Sequence, residues 1–141
     1  TPILLDLIRH TLECEAPISD ELLVQRIARA HGFMRAGRLI RHRVLDIVDT
    51  HFHLREDPVG GNFVWLHVEQ SSSPIPVRVP VGDDSVRSFD SLPSEEIRAA
   101  LAFRGKGDPA VEIARLFGIL RLSSAGRERI EAALAFSVSH D

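Results

Sequence analysis

The sequence predicts a mostly α-helical fold with a small β-hairpin, built as a repeat of helix-turn-helix units. Three observations predict it. Apolar residues recur at helical spacing through residues 2–50 and again through 94–136. Between residues 52 and 68 the period changes to two, on either side of a glycine-rich loop. The two helical stretches share residues at a constant offset of 86.

Ile3, Leu4, Leu7, Ile8 and Leu12 place a first helix from Pro2 to about Glu13. Pro17 and Ser19 punctuate the chain. Ser19 is suited to cap a second helix, with Asp20 and Glu21 in the first turn, where the helix dipole favours acids. Leu22, Leu23, Ile27 and Ala30 line one side of that helix, and Gly32 ends it with a left-handed cap. A turn over Phe33–Gly37 leads to a third helix from Arg38 to about Thr50. Its core stripe is Ile40, Val44, Ile47 and Val48. Phe52-His53-Leu54-Arg55 and Phe63 to Val68 then alternate as strands around the loop Glu56–Asn62. Three helices and a hairpin make a winged-helix arrangement over residues 1–70, with the wing at 52–68.

Residues 71–92 are expected to form a linker. Pro74, Pro76 and Pro80 exclude a central strand, leaving Val77, Val79 and Val81 for an edge strand. Ser94 is expected to cap the next helix, with Glu95 and Glu96 in its first turn. A second helix-turn-helix unit then spans 93–141, with helices near 94–103, 109–117 and 123–136. At the offset of 86, Ile27-Ala28-Arg29 recurs as Ile113-Ala114-Arg115 and Gly32 as Gly118. Arg35 recurs as Arg121, Arg41 as Arg127, Arg43 as Arg129, Val44 as Ile130 and Val48 as Leu134. Phe52 maps to Val138, so the second wing is expected to be truncated or absent.

The 141 residues are 44% hydrophobic and 26% charged, a globular composition without a run long enough to span a membrane. The chain begins at Thr1 and is expected to be a piece of a longer protein. Its single cysteine, Cys14, excludes an internal disulfide and a Cys-rich zinc site, so a cytoplasmic location is expected, with Cys14 a packed thiol. The formal net charge of −3 argues against a surface that coats nucleic acid throughout. The charge is nevertheless segregated. No acid lies between Glu21 and Asp46, a stretch holding Arg26, Arg29, His31, Arg35, Arg38, Arg41, His42 and Arg43. Arginine in place of lysine suits bidentate contact with phosphate.

On a helical wheel Arg38 and His42 point away from the core stripe, and Arg41 and Arg43 flank it. The equivalent outward positions in the second unit are Ser124, Glu128 and Ala132, which are not cationic. Candidate nucleic-acid contacts are therefore Arg35, Arg38, Arg41, His42 and Arg43, with Arg35 placed for a backbone phosphate. For Arg41, Arg43, Arg127 and Arg129, ion pairing with a neighbouring helix is the stronger expectation. His51, His53 and His67 could hold zinc, but a polar strand face explains them better. Gly60-Gly61 and Gly105-Lys106-Gly107 lack a phosphate-loop pattern. No catalytic residue, metal or cofactor is expected, so the fragment is not read as an enzyme. Trp65 is expected to anchor the core; an exposed position would instead point to stacking on a base or a partner.

Several motifs carry a resemblance that spans nearly the whole chain. They are Ile27-Ala28-Arg29-Ala30-His31-Gly32-Phe33-Met34-Arg35-Ala36-Gly37, then Arg41, Asn62-Phe63-Val64-Trp65 and Pro76-Val77-Arg78. Leu92-Pro93-Ser94-Glu95-Glu96-Ile97, Ile113-Ala114-Arg115-Leu116-Phe117-Gly118 and the arginine helix after it complete the set. Their order resembles an uncharacterised C-terminal domain family of large bacterial helicase-like proteins. In those proteins superfamily 1 ATPase motors are combined with a restriction-endonuclease-like domain. The resemblance implies a non-catalytic accessory domain whose partners are DNA and the helicase and nuclease-like domains of the parent chain. The second unit departs from the pattern, because Leu122-Ser123-Ser124 replaces the small-Gly turn. The alternative is a protein-interaction or structural module that docks the parent's other domains, or self-associates, without touching nucleic acid.

Overall fold

The computed structural model describes residues 2–32, 37–66, 75, 77–82, 86–103 and 105–136. The chain divides into two units. One comprises Thr1–Glu56 and Asn62–Ser73, the other Asp57–Gly61 and Pro74–Asp141.

The first unit runs α1 (Pro2–Glu15), β1 (Ile18–Ser19), α2 (Asp20–Ala30), α3 (Arg38–His51), β2 (His53–Glu56) and β3 (Asn62–Trp65). The apolar stripe of α1 buries Leu4, Ile8 and Leu12. They pack with Leu23, Val24 and Ile27 of α2, Val44 and Val48 of α3, and Val64 of β3. As expected, Ser19 caps α2, its hydroxyl accepting from the Leu22 N–H at 3.0 Å. Gly32 follows α2 at φ +83°, a conformation that costs a residue with a Cβ about 1–2 kcal/mol.

β1 has no counterpart in the sequence analysis. It is two residues long, too short to show a period, yet it completes a sheet of order β1-β3-β2. Both pairings are antiparallel, with Ile18 opposite Val64 and Leu54 opposite Val64 on the other side. Phe63, Val64 and Trp65 are all buried rather than alternating, so both faces of β3 are covered, with Val64 packed in the core of α1, α2 and α3. Trp65 is a buried anchor, with the Arg55 guanidinium 4.7 Å from its ring centroid. Cys14 departs from expectation. It lies on the exposed side of α1, because the buried stripe passes through Leu12 instead.

The second unit contains a 3₁₀ turn at Phe89–Ser91, then α4 (Ser94–Ala100), a further 3₁₀ turn at Leu101–Phe103, α5 (Pro109–Leu116) and α6 (Ser124–Phe136). Its core is Leu92, Ile97, Ala100, Ala110, Ile113, Ala114, Phe117, Ile130 and Ala133. Ser94 is not the cap of α4. Pro93 holds that position, and the Ser94 N–H donates instead to Asp57 Oδ2 at 2.8 Å, a carboxylate from 37 residues upstream. Asp57 Oδ1 accepts from the Val59 N–H at 3.0 Å. Arg129 Nη1 donates to the Val59 and Gly60 carbonyls, each at 3.0 Å, and Nη2 to the Leu92 carbonyl at 2.9 Å. The turn 57–61, which reads in the sequence as the tip of the wing, is thus built into the second unit.

The stretch read as a linker is also integrated. Glu96 is fully buried, and its carboxylate accepts from both terminal nitrogens of Arg87 at 2.7 and 2.6 Å. It further accepts from the Arg78 N–H at 2.8 Å and Arg78 Nη2 at 3.1 Å. Arg87 also stacks 5.4 Å from the Phe117 ring centroid. This buried charge cluster replaces the expected edge strand: no strand forms among described residues 77–82. Val79 and Val81 remain exposed.

Within each unit the same local geometry recurs. α2 ends at Ala30 and α5 at Leu116; α3 starts at Arg38 and α6 at Ser124. Gly32 and Gly118 have φ of +83° and +84°. Before each glycine, the capping N–H of His31 or Phe117 donates to the carbonyls of Ile27 and Ala28 or of Ile113 and Ala114.

Candidate nucleic-acid interface

The first unit's α3 starts after Gly37, whose extended backbone (φ −77°, ψ 171°) turns the chain into the helix. Val44 and Val48 are buried, and Ile40 and Ile47 half-buried, so the opposite side of α3 is left to solvent. At about 100° per residue, Arg38, Leu39, His42 and Arg43 fall within an arc of about 140° on that side. All four are exposed. Three and six residues beyond Arg43 the same side carries Asp46 and Asp49, also exposed. The outer face of α3 is therefore cationic in its N-terminal half and acidic in its C-terminal half.

The five sequence candidates separate. Arg38 and Arg43 make no ion pair with a described residue, so their guanidinium groups face solvent. Arg41 is held by Glu21 of α2. It donates to both carboxylate oxygens, with Nη2 at 2.6 Å from Oε2. That hydrogen bond holds the Glu21 carboxyl below its ordinary value and raises the Arg41 guanidinium further. His42 has an acid within reach that the sequence analysis overlooked: Nε2 lies 3.7 Å from Asp46 Oδ2, one helical turn on. Arg35 lies outside the described residues. Exposed Arg29 on α2 adds a further cation without an ion pair among the described residues.

Leu39 was the other omission. It is 65% exposed on the same face as the cations. Its wheel position is legible in the sequence, but an apolar side chain carries no charge signal.

α6, which lies at the sequence offset of 86 from α3, is different. Arg127 pairs with Asp108 at 2.8 Å and with Glu131 at 3.4 Å. Arg129 turns toward backbone carbonyls. Ser124, Glu128 and Ala132 face solvent. Arg41 and Arg127 perform the same task 86 residues apart, each clamping an acid in the first turn or cap of the preceding helix. Of the three histidines, His51 is exposed, His53 is half-buried and His67 lies outside the described residues. Among the described residues no group of His, Cys, Asp and Glu is placed to hold a metal ion. None of the described helices is long and apolar enough to cross a membrane.

The fold and this face define a mostly helical protein with a small antiparallel sheet and a charge-segregated surface helix. Residues 1–42, covering α1, β1, α2 and the start of α3, match a family described as a protein of unknown function, DUF3320. No curated protein and no solved structure matches the chain.

Proposed function

We propose that the first unit is a winged-helix module that contacts DNA through the N-terminal half of α3. The chain then acts as a non-catalytic accessory domain of a helicase- or nuclease-type protein. The observation that carries this reading is the exposed cationic half of α3, where Arg38 and Arg43 lack an ion pair among the described residues. The element order α1-β1-α2-α3-β2-β3 and the sheet order β1-β3-β2 support it. A helix-turn-helix presents the N-terminal residues of its second helix to DNA, and that end of α3 is the cationic one. The recurring glycine conformation, capping bonds and arginine clamps support reading the second unit as a duplicated helix-turn-helix without a recognition surface.

With few cations engaged, binding to duplex DNA falls in the non-specific range of about 10⁻⁴–10⁻⁶ M and weakens with salt. Fluorescence anisotropy against duplex DNA at low salt tests this. Absence of association would favour the interaction-module reading. Leu101, Phe103 and Leu120, exposed at 39, 67 and 84% in the second unit, would then be the first place to seek a partner.

A further inference from the structure

We propose that Leu39 is a specificity-determining residue that packs on the C5-methyl group of thymine, so that the ligand of α3 is B-form DNA and not RNA. This rests on the DNA-binding reading above. Single exposed apolar side chains are common on protein surfaces and ordinarily mean nothing. Leu39 differs in its surroundings. It is 65% exposed, whereas the other large apolar residues of α3, Ile40, Val44, Leu45, Ile47 and Val48, are buried or half-buried. It precedes His42 and Arg43 by three and four residues, so the imidazole and the Arg43 guanidinium border it on the helix surface, and Arg38 stands on the same exposed arc. The acids of the same face, Asp46 and Asp49, lie about 10–15 Å further along the axis.

A surface that is apolar at its centre and cationic at its rim fits a polyanion that offers an apolar group between its phosphates. The major groove of B-form DNA does this through the thymine methyl, and apolar side chains contact it there. The minor groove presents no methyl. Duplex RNA lacks the methyl, and its deep, narrow major groove does not admit side chains. Charge complementarity thus selects a nucleic acid, and the apolar centre selects the groove and the base.

The test compares a fluorescein-labelled alternating A·T duplex with the same duplex carrying deoxyuridine for thymine, and with the matching RNA duplex. Anisotropy is read on the full chain and on Leu39→Ala. The expected result is about fourfold weaker binding of the deoxyuridine duplex, equivalent to burial of one methyl group at about 0.8 kcal/mol. RNA binding is weaker still. Leu39→Ala abolishes the difference between thymine and deoxyuridine while leaving the salt slope unchanged, because leucine carries no charge. Circular dichroism checks that the variant is folded, and Leu39→Met, which keeps the apolar contact, restores the preference. Equal, salt-dependent binding of the two DNA duplexes overturns this inference and leaves the DNA-binding reading standing. Failure of every duplex to bind overturns both.

Discussion

At the scale of single residues, one arginine can face a ligand, another residue of the same type can clamp a helix, and a third can fill an interior. Arg38, exposed on α3, is proposed for the first role. Replacing it with alanine, or Arg43 likewise, is expected to lower duplex affinity and to reduce the salt slope by about one unit each, read from titrations across ionic strength. Asp46 acts in the opposite sense. It lies 3.7 Å from His42 and places negative charge on the face that would meet phosphate. Asp46→Asn should tighten binding at low salt, with the gain fading as salt screens it. Arg87 is the interior kind, and its partner Glu96 carries a pH prediction. Burial pushes the Glu96 carboxyl up, but the Arg87 hydrogen bonds and the charges of Arg78 and Arg87 outweigh it and hold it below its ordinary value of 4.5. A carboxyl lowered in the folded state contributes stability that is complete above its unfolded value and is lost as pH falls through the folded one. Thermal melts should therefore show a loss of stability below about pH 4.5, flattened in Glu96→Gln. That variant leaves two arginines facing a neutral amide and should cost about 3–5 kcal/mol at neutral pH.

At the scale of elements, the two glycines that end α2 and α5 make a controlled pair. Both have positive φ, and both would be strained by a side chain. A Cβ on Gly32 meets nothing within 4 Å, whereas one on Gly118 meets Pro80 Cγ at 2.9 Å and Val86 Cγ2 at 3.0 Å. Gly32→Ala is expected to cost about 1–2 kcal/mol from backbone strain alone. Gly118→Ala should cost more, because the segment around Pro80 must also shift. Chemical denaturation of the two variants measures the difference. The elements also show where periodicity succeeds. Helices of eleven to fourteen residues such as α2 and α3 repeat their apolar stripe often enough to be recognised. The two residues of β1 cannot, and although β3 is legible as a strand, the successive burial of Phe63, Val64 and Trp65 is not legible from a period of two.

At the scale of the whole molecule, Arg38 of the first unit and Arg129 of the second have different surroundings and should separate in experiment. Arg129 supplies three hydrogen bonds to the carbonyls of Val59, Gly60 and Leu92 inside the second unit. Arg129→Ala should reduce stability by about 1–3 kcal/mol and speed amide exchange in the turn 57–61, without altering the salt slope of DNA binding. Arg38→Ala should do the reverse. Parallel denaturation and anisotropy measurements on both variants check the separation.

The sequence by itself determined the helices, the hairpin, the ends of α2 and α5, and the outward placement of Arg38 and His42. Each of these depends on residues near one another in the chain, through a helical period, a capping side chain or a glycine that tolerates positive φ. Only the tertiary structure decided which cations stay unengaged, because Arg41 meets an acid 20 residues away and Arg129 meets carbonyls 69 and 70 residues away. It alone set the unit boundary as well. Asp57 caps α4 and Glu96 gathers Arg78 and Arg87, so a loop and a linker by composition become parts of a core. No local pattern encodes such contacts, since a buried carboxylate takes whichever donors the fold brings to it.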